Sequence, residues 1–130
     1  MASRFSELVV DCRDPRQLAE FWCAVLGYEI VDDTEEGIVE IAGEEQTPEA
    51  MRRGIVPPTI LFAVVPEEKT VKNRLHIDLR PIDRTTAEEV ERVLALGARR
   101  VDVGQGEQSW TVMADPEGNE FCVLRELPPA

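Results

Sequence analysis

The sequence is short of the features that mark several protein classes. Lys and Arg number 14 against 26 Asp and Glu, a formal net charge of -12. A surface field of that sign repels phosphate backbones and anionic membrane leaflets, which excludes nucleic acid as an expected partner. No stretch approaches the ~20 apolar residues a membrane-spanning helix needs. The start, Met1-Ala2-Ser3-Arg4-Phe5-Ser6-Glu7, lacks the apolar run of a secretory leader. These absences predict a cytoplasmic protein with no membrane partner. The three cysteines, Cys12, Cys23 and Cys122, are an odd number without CxxC spacing. Each sits in an apolar segment, where free thiols pack as small hydrophobes, so reduced, buried cysteines are expected. Histidine occurs once, as His76.

What remains is a globular balance, 43% hydrophobic and 31% charged over 130 residues. Half of that length buries too little apolar surface to fold alone, so residues 1–130 read as one domain around one core. Residues 5–12 alternate, with Leu8, Val10 and Cys12 on one face and Glu7, Val9 and Asp11 on the other, which predicts a strand whose first face meets a helix. That helix starts at Asp14-Pro15, an N-cap followed by proline, carries Leu18, Phe21, Trp22, Val25 and Leu26 at helical spacing, and stops at Gly27. Residues 28–32 and 38–42 read as a hairpin joined by an acidic turn ending in Gly37. A polar connection with Gly43, Pro48, Gly54, Pro57 and Pro58, either a lid or a plain surface loop, leads to the apolar strand 60–65.

The order then restarts. Residues 75–79 form a strand with Leu75, Ile77 and Leu79 on one face and His76 and Asp78 on the other, Arg74 preceding them in the same row. Thr85 to Glu89 offers an N-cap with acidic residues in the first turn, and Val90, Val93, Leu94 and Leu96 give the helix its stripe before Gly97. Strands at 101–103, 109–114 and 120–124 follow, the last two joined by the turn Asp115-Pro116-Glu117-Gly118-Asn119, where Gly118 is placed for positive φ. The halves, about 5–66 and 73–126, overlay with Glu7 on His76, Leu8 on Ile77, Val10 on Leu79 and Asp14 on Asp83. After one inserted residue, Gly27 falls on Gly97 and Asp32 on Asp102. A shift of two residues in the first strand preserves the same facing pattern.

Three separated segments carry a resemblance: Val10 to Pro15 with Phe21-Trp22 and Leu26-Gly27-Tyr28, then Asn73 to Leu79, then Asp115 to Phe121. Together they resemble the vicinal oxygen chelate superfamily, in its glyoxalase-like, bleomycin-resistance-like branch. The resemblance implies an α+β fold of two tandem βαβββ units forming a cup-shaped mixed β-sheet with helices on the outer face. It also implies a homodimer and a cavity for a small organic ligand. The superfamily includes metal-dependent isomerases, ring-cleaving dioxygenases, epoxide-opening thiol transferases and non-catalytic drug-binding proteins, so fold alone does not choose an activity.

The metal ligands implied by the resemblance come from the first and fourth strand of each unit. Glu7 and His76 occupy the first-strand positions and suit a metal by residue type. The last-strand position of unit two, seven residues after Asp115, is Cys122, where metal-dependent members carry a glutamate. The fourth strand of unit one, Thr59 through Val65, contains no carboxylate, imidazole or thiol. The resemblance therefore leads to an expectation of no metal and no cofactor.

The ligand-binding candidates are Glu7, Phe62, Arg74, His76, Asp78, Trp110 and Cys122. His76 suits hydrogen bonding or proton transfer, and is equally well satisfied by Asp78 or Glu7. Arg74 and Asp78 extend its polar row, which is expensive to bury unless paired internally or met by a ligand, or else Arg74 is a salt-bridged strand end. Trp110 and Phe62 sit on strands expected to line the cup, as walls or as core. Cys122 reads as a buried hydrophobe, with no local pattern that activates it as a nucleophile. Three functions follow: small-molecule binding without a complete metal centre, a metal-dependent lyase or dioxygenase using Glu7, His76 and Cys122, and sequestration of cationic drugs by an acidic protein.

Overall fold

The computed structural model describes residues 2–54, 56–102 and 110–128. The chain divides into two compact units, Met1–Glu68 and Lys69–Ala130.

In the first unit, β1 (Glu7–Cys12) is followed by α1 (Pro15–Leu26), β2 (Glu29–Asp32), β3 (Ile38–Ala42), α2 (Pro48–Arg53) and β4 (Thr59–Val64). The sheet order is β1-β4-β3-β2, with β1 parallel to β4 and the other pairs antiparallel. Asp14 caps α1 by accepting from the Gln17 amide at 3.2 Å, and Gly27 ends it at φ 72°, a left-handed conformation that an L side chain rarely adopts. The helix packs on β3 and β4. It buries Leu18, Ala19, Phe21, Trp22 and Val25. Strand parity supplies the other side of that core. Val39 pairs with Phe62 and Ile41 with Ile60, so all four point to one face, and all four are buried.

α2 falls in the connection read from the sequence as a polar loop. Thr47 caps it, Pro48 opens it, Arg52 and Arg53 occupy its last turn and Gly54 closes it at φ 69°. It has no buried residue. With no apolar face to create a periodicity, only its caps and charges were present in the sequence.

The second unit contains β5 (Ile77–Leu79), α3 (Thr86–Leu96), β6 (Arg99–Arg100), β7 (Thr111–Ala114) and β8 (Glu120–Val123). Its order, β5-β8-β7-β6, repeats the first: the first strand runs parallel to the last, and the rest are antiparallel. Thr85 and Glu88 form a reciprocal capping box at the start of α3. The β7–β8 turn is built on Asp115, 2% exposed. Its Oδ1 accepts from the amides of Glu117 and Asn119, both at 2.9 Å, and Gly118 adopts φ 89°.

Two boundaries differ from the sequence expectation. β5 begins at Ile77 rather than Leu75, which is 80% exposed. The preceding chain is drawn instead to Glu120, which accepts from the Asn73 amide at 2.7 Å and pairs with Lys69 at 2.6 Å. β6 is Arg99–Arg100, ahead of the expected 101–103; Val101 adds one further hydrogen bond, from its amide to the Val112 carbonyl at 3.1 Å. Val103 and Ser109 of the expected strands lie outside the described residues.

Candidate functional site

Register creates a pocket on one face of the second sheet. Asp78 of β5 lies opposite Cys122 of β8, which lies opposite Val112 of β7. Side chains alternate along each strand, so the positions two residues away share that face. His76 precedes Asp78, Glu120 and Leu124 flank Cys122, and Trp110 precedes Val112. These residues, with Lys72 from the segment before β5, line a pocket of about 370 Å³. Volumes of this order accommodate a small organic molecule.

The walls have two characters. Trp110, Val112 and Leu124 form an apolar side. Opposite them stands a polar row in which His76 Nε2 lies 3.2 Å from Asp78 Oδ1, with both side chains over two-fifths exposed. Cys122, by contrast, is buried. Burial pushes its thiol pKa up, and the Asp78 carboxylate raises it further by its charge and by accepting a hydrogen bond. The site therefore keeps Cys122 protonated near neutral pH, the opposite of what an activated thiolate nucleophile requires.

At the rim, Glu120 balances opposing effects. Burial opposes its ionisation, but the hydrogen bond from Lys69 and the Asn73 amide outweigh this and hold the carboxyl below the usual range. Lys72 Nζ donates to the Asn73 carbonyl at 3.3 Å. The chain from Lys69 to Asn73 is thus fastened to the start of β8 beside the pocket.

Of the residues singled out in the sequence, His76, Asp78, Trp110 and Cys122 come together here. Arg74 is exposed in the bend before β5 and outside the pocket lining. Glu7 and Phe62 belong to the first unit, on opposite faces of its sheet: Glu7 is the register partner of Thr59, whereas Phe62 pairs with Val10. Phe62 is 0% exposed, on the face that α1 covers. It is a core residue, which corrects the expectation that it lines a cavity; β4 is apolar on both faces, so its sequence does not reveal which face meets the helix.

Lys72, Val112, Glu120 and Leu124 also line the pocket, and no motif in the sequence singles them out. Three of them were accessible by counting: Val112 stands two residues from Trp110, and Glu120 and Leu124 two from Cys122. Lys72 lies in a connection with no periodicity to place it.

The four-ligand metal centre implied by the resemblance does not fit the residues present. β4, with sequence TILFAV, supplies no ligand, and Cys122 puts a soft sulfur where a hard oxygen would serve magnesium or manganese.

A family model described as a glyoxalase-like domain matches residues 7–124. Among solved structures, a glyoxalase/bleomycin resistance protein/dioxygenase family enzyme from Burkholderia phytofirmans PsJN is 17% identical, with a TM-score of 0.64, covering 97% of this chain and 100% of that one. A mutant of the fosfomycin resistance protein FosX from Listeria monocytogenes, complexed with Mn(II), is 16% identical at TM-score 0.65, covering 98% and 93%. A glyoxalase/bleomycin resistance protein from Albidiferax ferrireducens T118 is 17% identical at TM-score 0.56, covering 97% and 100%. No curated protein sequence matches significantly. At these identities the structural likeness shows the fold alone. With the family model spanning nearly all of both units, the chain belongs to the glyoxalase-like domain family.

Proposed function

We propose that the second unit binds a small organic molecule against the polar row of His76 and Asp78, without the superfamily's four-ligand metal centre. One observation carries this reading: alternate positions of β5, β8 and β7 leave a pocket of about 370 Å³ that is apolar on one side and hydrogen-bonding on the other. A ligand with an apolar body suits Trp110, Val112 and Leu124, where burial contributes about 25 cal/mol per Å². A polar end suits the imidazole and carboxylate, which fix its orientation.

The tryptophans provide the assay. Trp22, on the buried face of α1, is 3% exposed, whereas Trp110 is 38% exposed at the pocket. A compound screen read by tryptophan emission and thermal shift should find ligands that quench Trp110 with one site per chain. Trp110→Phe should abolish the quenching, and Asp78→Asn should weaken binding about tenfold, the loss of one charge-assisted hydrogen bond. A screen without binders, or binders indifferent to both variants, would overturn the reading. Homodimerisation, expected from the resemblance, is tested separately by sedimentation equilibrium.

A further inference from the structure

The charged groups of the pocket are unequally partnered. Both Glu120 oxygens are engaged: Oε2 pairs with Lys69 Nζ at 2.6 Å and Oε1 accepts from the Asn73 amide at 2.7 Å. Asp78 faces His76 Nε2 at 3.2 Å and accepts from the Cys122 thiol. Lys72 is the exception. Its Nζ donates to the neutral Asn73 carbonyl at 3.3 Å, and among the described residues it pairs with no carboxylate. An ammonium carries three donors, and its hydrogen bonds to anionic acceptors are the stronger ones. The Lys72 side chain lines the pocket, and its charge acts on both Glu120 and Cys122 there.

We propose that Lys72 selects the ligand of this pocket: a monocarboxylate on an apolar body, with its anionic end at the Lys72 ammonium. The inference rests on the pocket reading above and names the ligand class for it. One unmatched positive charge suits one negative charge, whereas a dianion would leave its second charge facing Asp78. Asp78 keeps the part already given to it, accepting from a neutral hydroxyl or N–H elsewhere on the ligand. Trp110, Val112 and Leu124 take the apolar body.

Glu120 then acts through Lys72 as a positioning residue. It holds the chain on either side of Lys72, by the Lys69 side chain and by the Asn73 backbone. The Asn73 side chain adds a further tie, donating to Asn119 Oδ1 at 3.2 Å, and Asn119 is itself bound to buried Asp115. The Lys72 ammonium is therefore presented by a fastened backbone. Less ordering is left to be done when a ligand meets a charge already in place.

The test compares molecules that share an indole body: indole-3-acetate, neutral indole-3-acetamide and cationic tryptamine. Binding to the isotopically labelled full chain is followed at the Trp110 side-chain signal, with buried Trp22 as internal reference. The acetate should bind about fivefold more tightly than the acetamide, the upper range for a part-exposed ion pair, and tryptamine should bind least. Added salt should narrow the gap. Lys72→Met should erase it and Lys72→Arg should keep it. Arg74→Gln, at an exposed position outside the pocket lining, should leave it unchanged. Glu120→Gln gives a test of sign: losing a nearby negative charge would by itself strengthen acetate binding, whereas losing the anchor weakens it and spares the acetamide. Acetamide or tryptamine binding as tightly as acetate, a gap that survives Lys72→Met, acetate binding strengthened by Glu120→Gln, or no response of Trp110 to acetate would each overturn the proposal. The pocket reading survives any of these results as long as other compounds quench Trp110.

Discussion

Truncating Asp115 to alanine removes the acceptor at the centre of the turn that positions β8, and with it Cys122 and Glu120. Its Oδ1 receives the amides of Glu117 and Asn119, both at 2.9 Å, and the Asn119 side-chain nitrogen lies 3.0 Å from Oδ2. The residue is 2% exposed. Hydrogen bonds to a charged acceptor contribute about 1.5–3 kcal/mol each. The turn is only part-buried, so water replaces part of the loss, and a total of about 3 kcal/mol is expected for Asp115→Ala. At roughly 4 °C per kcal/mol for a domain of this size, Tm should fall by about 12 °C. Asp115→Asn keeps one acceptor oxygen and should lose about half as much. Urea unfolding monitored by circular dichroism measures both, with an unchanged denaturant slope indicating that the comparison is one of stability. A loss below about 0.5 kcal/mol for Asp115→Ala, or equal losses for the two variants, would refute the reasoning.

Other outcomes follow from the same contacts. Phe62→Ala should cost about 3–5 kcal/mol in urea unfolding, because Phe62 is fully buried on the face covered by α1; a ligand-wall role would leave stability nearly intact. Thr85→Ala should cost about 1 kcal/mol by removing one half of the capping box, measured as a shift in the denaturation midpoint. Glu120 has a lowered folded-state pKa, so its contribution is present above the ordinary carboxylate range and is lost as pH falls through the folded value. Accordingly, Glu120→Gln should flatten the acid side of the stability profile, and a profile unchanged from the parent would contradict the Lys69 and Asn73 contacts. Cys122, buried and with its thiol pKa raised, should react with iodoacetamide more slowly in the folded chain than in urea near neutral pH; equal rates would show that burial does not protect it.

The architecture was legible because its signals were periodic. Asp14-Pro15 and Gly27 bounded α1, and the alternation in β1 supplied the face that the helix covers. α2 was not, since a short helix that buries nothing leaves only caps. The site was partly legible. His76, Asp78 and Cys122 were each singled out, but Glu7 was grouped with His76 and Cys122 as potential metal ligands, while the i, i+2 relation of His76 and Asp78 was read only as a polar row. Register decided the matter: Asp78 pairs with Cys122, and registers between distant strands follow from tertiary packing rather than local sequence. Phe62 shows the same limit, because both faces of β4 are apolar and only the pairing with Val10 and Val39 says which one meets α1.

The most direct test of the central claim is a chemical-shift titration of the isotopically labelled chain with a compound that quenches Trp110. The account predicts perturbations at His76, Asp78, Val112, Cys122 and Leu124, the alternate positions of β5, β7 and β8, with residues buried beneath α1 unmoved. Shifts confined to the first unit, with these five positions silent, would contradict it.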